Sequence, residues 1–488
     1  MRTVCLAVVL VACAQAADFH GGQAARAVIG QPSFSAHDAG ITAHALSIVR
    51  GRLNAAETNR VLTFDVNKIS NPKDEPTGLL GLAPVSVVNQ TVMRGVAAVA
   101  VSGKVVVWGD SASHQVLIWR STAPSPGVIG AKPPDVVLRI GEPISVAYDG
   151  RRLFVGDAAL HRVLVWNALP NADDQPADAV LGQPDFSSGS ESGTPGAATI
   201  GTPTALVSDG TNLFVSDAGN RRILVFSPAD VGLADEAVVN AASLVPAPLA
   251  PGTLVAIRAN GITNIAEEAE ASGTAPLPTR LANVEVYLNG SPLPLLSVSP
   301  EEIQVQLPYD LGTATSGSLY VRSFRDNGAV LISSATAVQF VPASPGIFAV
   351  GTSEPRNGLL LHVSDEQDID GGPAKGVPIT AENPAAPGEV VTVWASGLGM
   401  VGEGDARTII AGVPFEARDG EAILPVSALV NGEPATVLAA RLPKSAIGIY
   451  DVLVVLPAQL PAGEAIRLQL VQNGMLSNAV IFPVKAIN

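Results

Sequence analysis

The sequence predicts an all-β protein in which stacked β-hairpin units, as in a propeller or solenoid, precede two β-sandwiches. Three observations carry that prediction. One short pattern recurs four times in the first half of the chain, and a second, with different turn signals, recurs twice in the rest. The chain of 488 residues is 47% hydrophobic and 15% charged, with 47 Gly and 38 Pro distributed between short Val/Leu/Ile runs. Dense turn formers between short apolar runs are the composition of strands joined by turns, and the apolar content is too high for a disordered chain. This length exceeds what one core fills, so about two to four domains are expected.

The chain opens on an expected export signal, residues 1–16. Arg2 supplies the positive end, Val4 to Ala12 form a short apolar run, and Ala14-Gln15-Ala16 is an A-x-A cleavage site. An apolar run this short does not span a bilayer. Leu10-Val11-Ala12-Cys13 also reads as a lipobox, so a lipid anchor on Cys13 is the alternative to free secretion. Cys5 and Cys13 both lie in this segment, which leaves the mature chain without a disulfide, thiolate metal site or cysteine nucleophile. A net charge of −15 lacks the basic footprint of a nucleic-acid binder.

The repeat array is expected over residues 26–228. Its clearest copy runs from Leu213-Phe214-Val215-Ser216-Asp217 to Arg222-Ile223-Leu224-Val225-Phe226. Others are Leu153 to Asp157 with His161 to Trp166, Val105 to Asp110 with Gln115 to Trp119, and a worn copy ending Asn59-Arg60-Val61-Leu62-Thr63-Phe64. Each reads as an apolar strand, a short polar turn and a second strand, a hairpin that cannot bury its own faces and must stack. Upstream, Ala27-Val28-Ile29-Gly30-Gln31-Pro32-Ser33-Phe34 matches Ala179-Val180-Leu181-Gly182-Gln183-Pro184-Asp185-Phe186. Between box and hairpin, Pro143 to Gly150 parallels Pro203 to Gly210, each ending in an Asp-Gly tight-turn signal. One unit is then about four strands in roughly 40 to 60 residues, the size of a propeller blade. The hairpin run resembles that of the NHL family of β-propellers. The resemblance implies a propeller, though four units are fewer than such rings commonly hold.

From Val238 onward the pattern changes, and two sandwiches are expected at 238–342 and 345–487. Ala250-Pro251-Gly252 is echoed by Ala386-Pro387-Gly388, and Asn289-Gly290 by Asn431-Gly432, each Asn-Gly a hairpin turn. Ile303-Gln304-Val305-Gln306-Leu307 and Ile466-Arg467-Leu468-Gln469-Leu470 alternate, which predicts one face inward and one outward. The ordered motifs Val239-Asn240-Ala241-Ala242-Ser243, Ser344-Pro345-Gly346, Gly397-Leu398-Gly399, Gly448-Ile449-Tyr450 and Ser477-Asn478-Ala479-Val480 resemble the uncharacterised C-terminal domain of secreted Solibacter-type acidobacterial proteins. Its sandwiches are similar to Ig-like domains of the IPT/TIG type. That family implies an architecture and no activity.

The recurring Asp110, Asp157 and Asp217 read as caps of their own turns. His114 and His161 occupy equivalent positions, but two imidazoles fall short of a catalytic zinc site. Asp365, Asp368 and Asp370 form the calcium candidate, although the spacing departs from a calcium loop, the closing Glu is missing and an Asp-Gly-Gly turn explains the run better. No nucleophile elbow or phosphate-binding loop appears. The expectation is an exported modular binding or scaffolding protein whose propeller takes a protein or carbohydrate ligand, with the sandwiches as spacer or envelope dock. The alternative is an extracellular propeller enzyme, either a metal-dependent lyase or carbohydrate-active.

Overall fold

The computed structural model describes residues 17–58, 60–69, 72–73, 80–82, 84–89, 98–102, 104–120, 133–191, 193–271, 275–351, 353–363, 376–402, 409–416 and 419–485. Among these the regular elements are strands and short 3₁₀ turns, so the protein is all-β. No helix among the described residues is long and apolar enough to cross a membrane. The expected signal segment, Cys13 included, lies outside the described residues.

Strand β1 (Ala27–Ile29) comes first, and four antiparallel sheets follow. Sheet one holds β2 (Ala45–Val49), β3 (Arg52–Ala56), β4 (Arg60–Asp65) and, past β5 (Leu80–Leu82), β6 (Ser86–Asn89). Sheet two is β7 (Ala98–Ser102), β8 (Val105–Asp110), β9 (Gln115–Trp119) and β10 (Val136–Arg139). Sheet three is β11 (Pro143–Tyr148), β12 (Leu153–Asp157), β13 (Arg162–Trp166) and β14 (Ala179–Leu181). Sheet four is β15 (Pro203–Ser208), β16 (Leu213–Asp217) and β17 (Arg222–Phe226), completed by β1, with β5 added in parallel outside it. The first strands of the sheets lie side by side in the order β7, β11, β15, β2.

Three cores join these sheets. Ile118 and Leu138 of sheet two meet Val155 and Leu164 of sheet three. Phe154 and Val163 of sheet three meet Val215 and Leu224 of sheet four. Phe214 and Ile223 of sheet four meet Leu53 and Phe64 of sheet one. Alternate residues of β12, β13, β16 and β17 thus feed different cores, which explains why these strands are apolar without a break. Each fully buried Val, Leu or Phe there contributes about 1.5–3 kcal/mol.

The sequence reading sets the Gly-Gln-Pro box ahead of the hairpin that follows it. In the structure the strand of that box belongs to the sheet before. β14 pairs with β13 (Val163↔Leu181), and β1 pairs with β17 (Ile29↔Ile223). The box is therefore a fourth strand, and the first copy closes the last sheet.

The next unit packs two sheets face to face. One contains β18 (Val238–Asn240), β19 (Leu254–Arg258), β20 (Ala269–Glu270), β23 (Leu295–Val298) and β24 (Glu302–Gln306). The other contains β21 (Val284–Leu288), β22 (Ser291–Pro292), β25 (Ser316–Phe324), β26 (Val330–Ile332) and β27 (Thr336–Gln339). Val255, Ile257 and Val305 of the first sheet fill one core with Val286, Leu319 and Val321 of the second.

The last unit is one twelve-stranded sheet: β28 (Gly346–Ile347), β29 (Ala349–Val350), β30 (Arg356–Gly358), β31 (Leu360–His362), β32 (Val390–Ser396), β33 (Asp419–Glu421), β34 (Val426–Val430), β35 (Glu433–Pro443), β36 (Tyr450–Val455), β37 (Gly463–Gln472), β38 (Met475–Leu476) and β39 (Val480–Val484). Its end strands β28 and β29 are separated by Phe348 alone, so the sheet curls nearly closed, like a barrel. Strand β35 turns the corner: its start pairs with β34 and the rest with β36, across a bulge at Leu438.

Both Asn-Gly pairs form the expected turns, with positive φ at Asn289 (53°), Gly290 (80°), Asn431 (54°) and Gly432 (86°). Each Asn side chain accepts an amide from the neighbouring strand, Ser318 at 2.8 Å and Arg467 at 2.9 Å.

Candidate functional site

The residues that recur in the hairpins converge on one constellation, built twice. In sheet four the Asp217 carboxylate accepts the Arg222 guanidinium at 2.9 Å, with both side chains at 0% exposure. The same carboxylate accepts the amides of Gly201 at 2.8 Å and Thr202 at 3.2 Å. Sheet three repeats this with Asp157 and Arg162 at 3.0 Å and the Glu142 amide at 2.9 Å. The expectation that each Asp caps its own turn through backbone amides holds for Asp110 alone, which accepts Ala112 at 3.1 Å and Ser113 at 3.3 Å, while Asp217 meets its turn through the Asn220 side chain at 2.8 Å. Asp157 and Asp217 instead cap the loop that enters the same sheet. That loop comes close because it carries glycine: a Cβ on Gly141 would stand 2.8 Å from the Asp157 oxygen. Each hairpin spans four residues between its strands in these three sheets.

The arginines extend the constellation to the end of the Gly-Gln-Pro box, past its strand. Arg162 donates to the Phe186 carbonyl at 2.7 Å, and Arg222 donates to that of Phe34. Gln183 donates to the carbonyls of His161 (3.3 Å) and Ser190 (3.1 Å), and Gln31 to those of Arg221 (3.2 Å) and Asp38 (2.9 Å). His161 and Arg221 accept there because both sit in the left-handed region, at φ 50° and 54°. The His161 imidazole bonds the Gly201 carbonyl and that of His114 the Gly141 carbonyl, each at the entrance to the following sheet. The two histidines therefore latch sheet to sheet. Burial lowers the Arg222 pKa, opposed by the charge of Asp217.

Asp-Gly turns link the sheets a second time. Arg152 pairs with Asp149 at 2.8 Å and donates to the Gly210 carbonyl at 2.7 Å, while Asn212 donates to the Ile69 carbonyl at 3.0 Å.

Two buried polar groups were not singled out in the sequence. The first joins the four-sheet unit to the two-sheet unit. Arg322 pairs with Glu285 at 3.0 Å, donates to the Tyr287 hydroxyl at 3.1 Å and reaches the Lys73 carbonyl at 2.7 Å. Tyr287 stacks on Tyr320 with centroids 5.3 Å apart, and burial pushes the Tyr320 hydroxyl up to about 12. These tyrosines share one core with Phe19, Phe154 and Phe226.

The second joins the last two units, and the motifs that carry the C-terminal resemblance meet there. Asn240 donates to the carbonyls of Ser344 (3.2 Å) and Ser396 (3.3 Å). Ser396 accepts the Leu254 amide at 3.0 Å and donates to the Gly448 carbonyl at 2.9 Å, and Tyr450 donates to the Gly399 carbonyl. Gln306, on the expected outward face of its strand, is 1% exposed. The last unit covers that face, and Gln306 accepts the Gly412 amide at 2.7 Å. Gly252 has to lack a side chain, because a Cβ would lie 2.1 Å from the Tyr309 ring.

Asp365, Asp368 and Asp370 lie outside the described residues, so the calcium candidate has no geometry here. Among the described residues no group of three or more His, Cys, Asp or Glu is placed to hold a metal. His362 pairs with Glu389, and its other ring nitrogen meets the Asn383 carbonyl at 3.2 Å. Two clefts open at the unit boundaries. One of about 460 Å³ is lined by Pro251, Leu311, Phe340, Met400 and Ile423. Another of about 380 Å³ lies between sheet-three and sheet-four loops and β27.

No family model matches the chain, and no curated protein matches it. Among solved structures, it is similar to the fibronectin(III)-like modules of Clostridium thermocellum CbhA, at 12% identity and a TM-score of 0.13, over 51% of this chain and 98% of that one. It is similar to Bacteroides ovatus SGBP-B of a mixed-linkage glucan utilization locus, at 13% and 0.12, over 46% and 48%. It is also similar to PorZ, a surface component of the type-IX secretion system of Porphyromonas gingivalis, at 10% and 0.17, over 88% and 52%. At TM-scores this low, none of the three assigns a fold or a function to this chain.

Proposed function

We propose that this chain is an exported modular binding or scaffolding protein. In this reading the four-sheet unit is a small NHL-like β-propeller that takes a protein or carbohydrate ligand on its loops. Of the two following units, one is a two-sheet sandwich and the other a single sheet curled into a nearly closed barrel, in place of the second sandwich expected at 345–487. Both are read as Ig-like units of the IPT/TIG type within a Solibacter-type C-terminal domain, and act as spacer or envelope dock. One observation carries the reading. The polar side chains that recur in the repeats, Asp157, His161, Arg162, Gln183, Asp217 and Arg222, are spent on backbone groups and on each other. They build a rigid frame, and loops on such a frame are where binding surfaces usually lie. The side-by-side first strands and the three shared cores support the propeller.

The test uses the chain from Ala17 onward, in two arms. Metal content and melting temperature are measured with EDTA, zinc and calcium, and retention is measured on columns of insoluble cell-wall polysaccharide and of envelope protein. Saturable retention with a melting temperature indifferent to EDTA is expected. A stoichiometric metal whose removal lowers the melting temperature would overturn the reading in favour of a metal-dependent enzyme, or of a calcium site at Asp365, Asp368 and Asp370. Retention by neither column would also overturn it.

A further inference from the structure

Among the described residues, strand β27 pairs with another strand through one edge only, against β25. Phe340 donates to the Thr315 carbonyl at 3.0 Å, which fixes the phase of the ladder with β25. Thr336 and Val338 therefore aim their amides and carbonyls at β25, and Ala335, Ala337 and Gln339 aim theirs outward. Two places on that outward edge are taken. Ala24 donates to the Ala335 carbonyl and Leu249 to the Gln339 carbonyl, each at 2.8 Å. Between them, no backbone hydrogen bond from a described residue reaches Ala337 on that side.

The groove of about 380 Å³ lies over this edge. One wall holds Pro184 and Gly196–Thr199, and the other Pro246–Leu249. The walls have little to offer Ala337. Pro184, Pro246 and Pro248 carry no amide. The Ala197 amide is spent on the Ser316 hydroxyl at 3.1 Å, and its carbonyl on Ala25 at 2.8 Å. Next to the walls in sequence stand Phe186, Leu244 and Val245, exposed by 48%, 36% and 45%. Among the described residues, no aromatic ring lines the groove on which a sugar would stack.

We infer that this groove is a docking site for an extended peptide with small and branched apolar side chains. The peptide pairs its main chain with the amide and carbonyl of Ala337. A strand edge with an unpaired donor and acceptor is a template for a second backbone, and apolar walls accept alternate side chains from it. One wall of the groove is the loop before β15, but the edge that pairs is β27 of the two-sheet unit. A peptide that fails to bind here leaves a ligand on the other four-sheet loops, and so the proposed function, standing.

The probe is the end-blocked peptide acetyl-Ala-Val-Ala-Val-Ala-amide, set against the same peptide methylated on its central nitrogen. Anisotropy with labelled peptide gives the affinity, and hydrogen-exchange mass spectrometry over residues 335–341 gives the site. The unmodified peptide is expected to slow exchange in that segment and to bind about tenfold more tightly than the methylated one. Ala337→Pro removes the outward amide while leaving the ladder bonds of Thr336 and Val338, a placement that edge strands tolerate. It is expected to weaken binding about tenfold as well. If that variant melts low, the methylated peptide decides. Equal binding by both peptides, unchanged exchange at saturation, or protection outside this segment would each overturn the inference.

Discussion

Sheets two and four carry the same hairpin pattern and use it differently. In sheet four Asp217 and Arg222 are fully buried, and the arginine extends to the Phe34 carbonyl just past the completing strand. In sheet two Gln115 replaces the arginine, the outer strand carries no Gly-Gln-Pro box, and Asp110 turns back on its own exposed loop. The aspartate is thus a local cap by default. It becomes part of the frame only when an arginine and a box strand enclose it. Sheet three, with Asp157, Arg162 and Phe186, sides with sheet four.

Removing the completing strand should have the largest effect. A chain lacking residues 17–34 loses the buried Val28, Ile29 and Phe34 and bares the edge of β17. At about 1.5–3 kcal/mol for each such side chain, the loss approaches the whole stability of a typical domain. Circular dichroism melts should show the four-sheet unit unfolded or melting without cooperativity.

Next comes Arg222→Ala, which leaves the Asp217 carboxylate buried without its partner and should cost about 3–5 kcal/mol in denaturant titration. Pairing Asp217→Leu with Arg222→Met should recover only part of that loss, because it removes the charge along with its partner but leaves the Gly201 amide and the Phe34 carbonyl without theirs. The same titration on Asp110→Ala should show no resolvable change. A large loss there would erase the contrast between the sheets.

Gln183→Ala is smaller again. It frees the His161 and Ser190 carbonyls and should cost about 1–2 kcal/mol. The smallest effect concerns Asp185 in the same box, whose exposed carboxylate is held at about 2 by the Ser187 hydroxyl and the amides of Ser188 and Ser187. Because this lies below the ordinary 3.8, whatever the contact contributes is present above that value and is lost as the pH falls through about 2. Carbon-detected NMR titration should show Ser187→Ala moving the midpoint upward.

What the sequence discloses follows from the range of the interactions. The strands, the hairpins and the two Asn-Gly turns are local, and the residues that make them sit within a few positions of each other. The partner of β1 is not local: Ala27 pairs with Val225, and no short-range pattern reports which sheet a box strand joins. Alternation misleads where a second unit covers the outer face. Glu285, Arg322 and Gln306 occupy positions that read as solvent-facing, yet they are buried or half-buried at the boundaries between units. The Asp-Arg spacing is visible in sequence, whereas the amides that Asp157 and Asp217 accept lie 15 or 16 residues upstream.

The pairing of β1 with β17 also imposes a schedule. During synthesis β1 emerges first, and its partner follows about 200 residues later, roughly 10–40 s at ordinary elongation rates. Through that interval an apolar segment stays unpaired while the first three sheets become available. Docking it must be among the last events in the four-sheet unit, and such late, long-range closure is intrinsically slow. The stretch from Ala27 to Phe34 is then where a holding chaperone has both the reason and the time to bind.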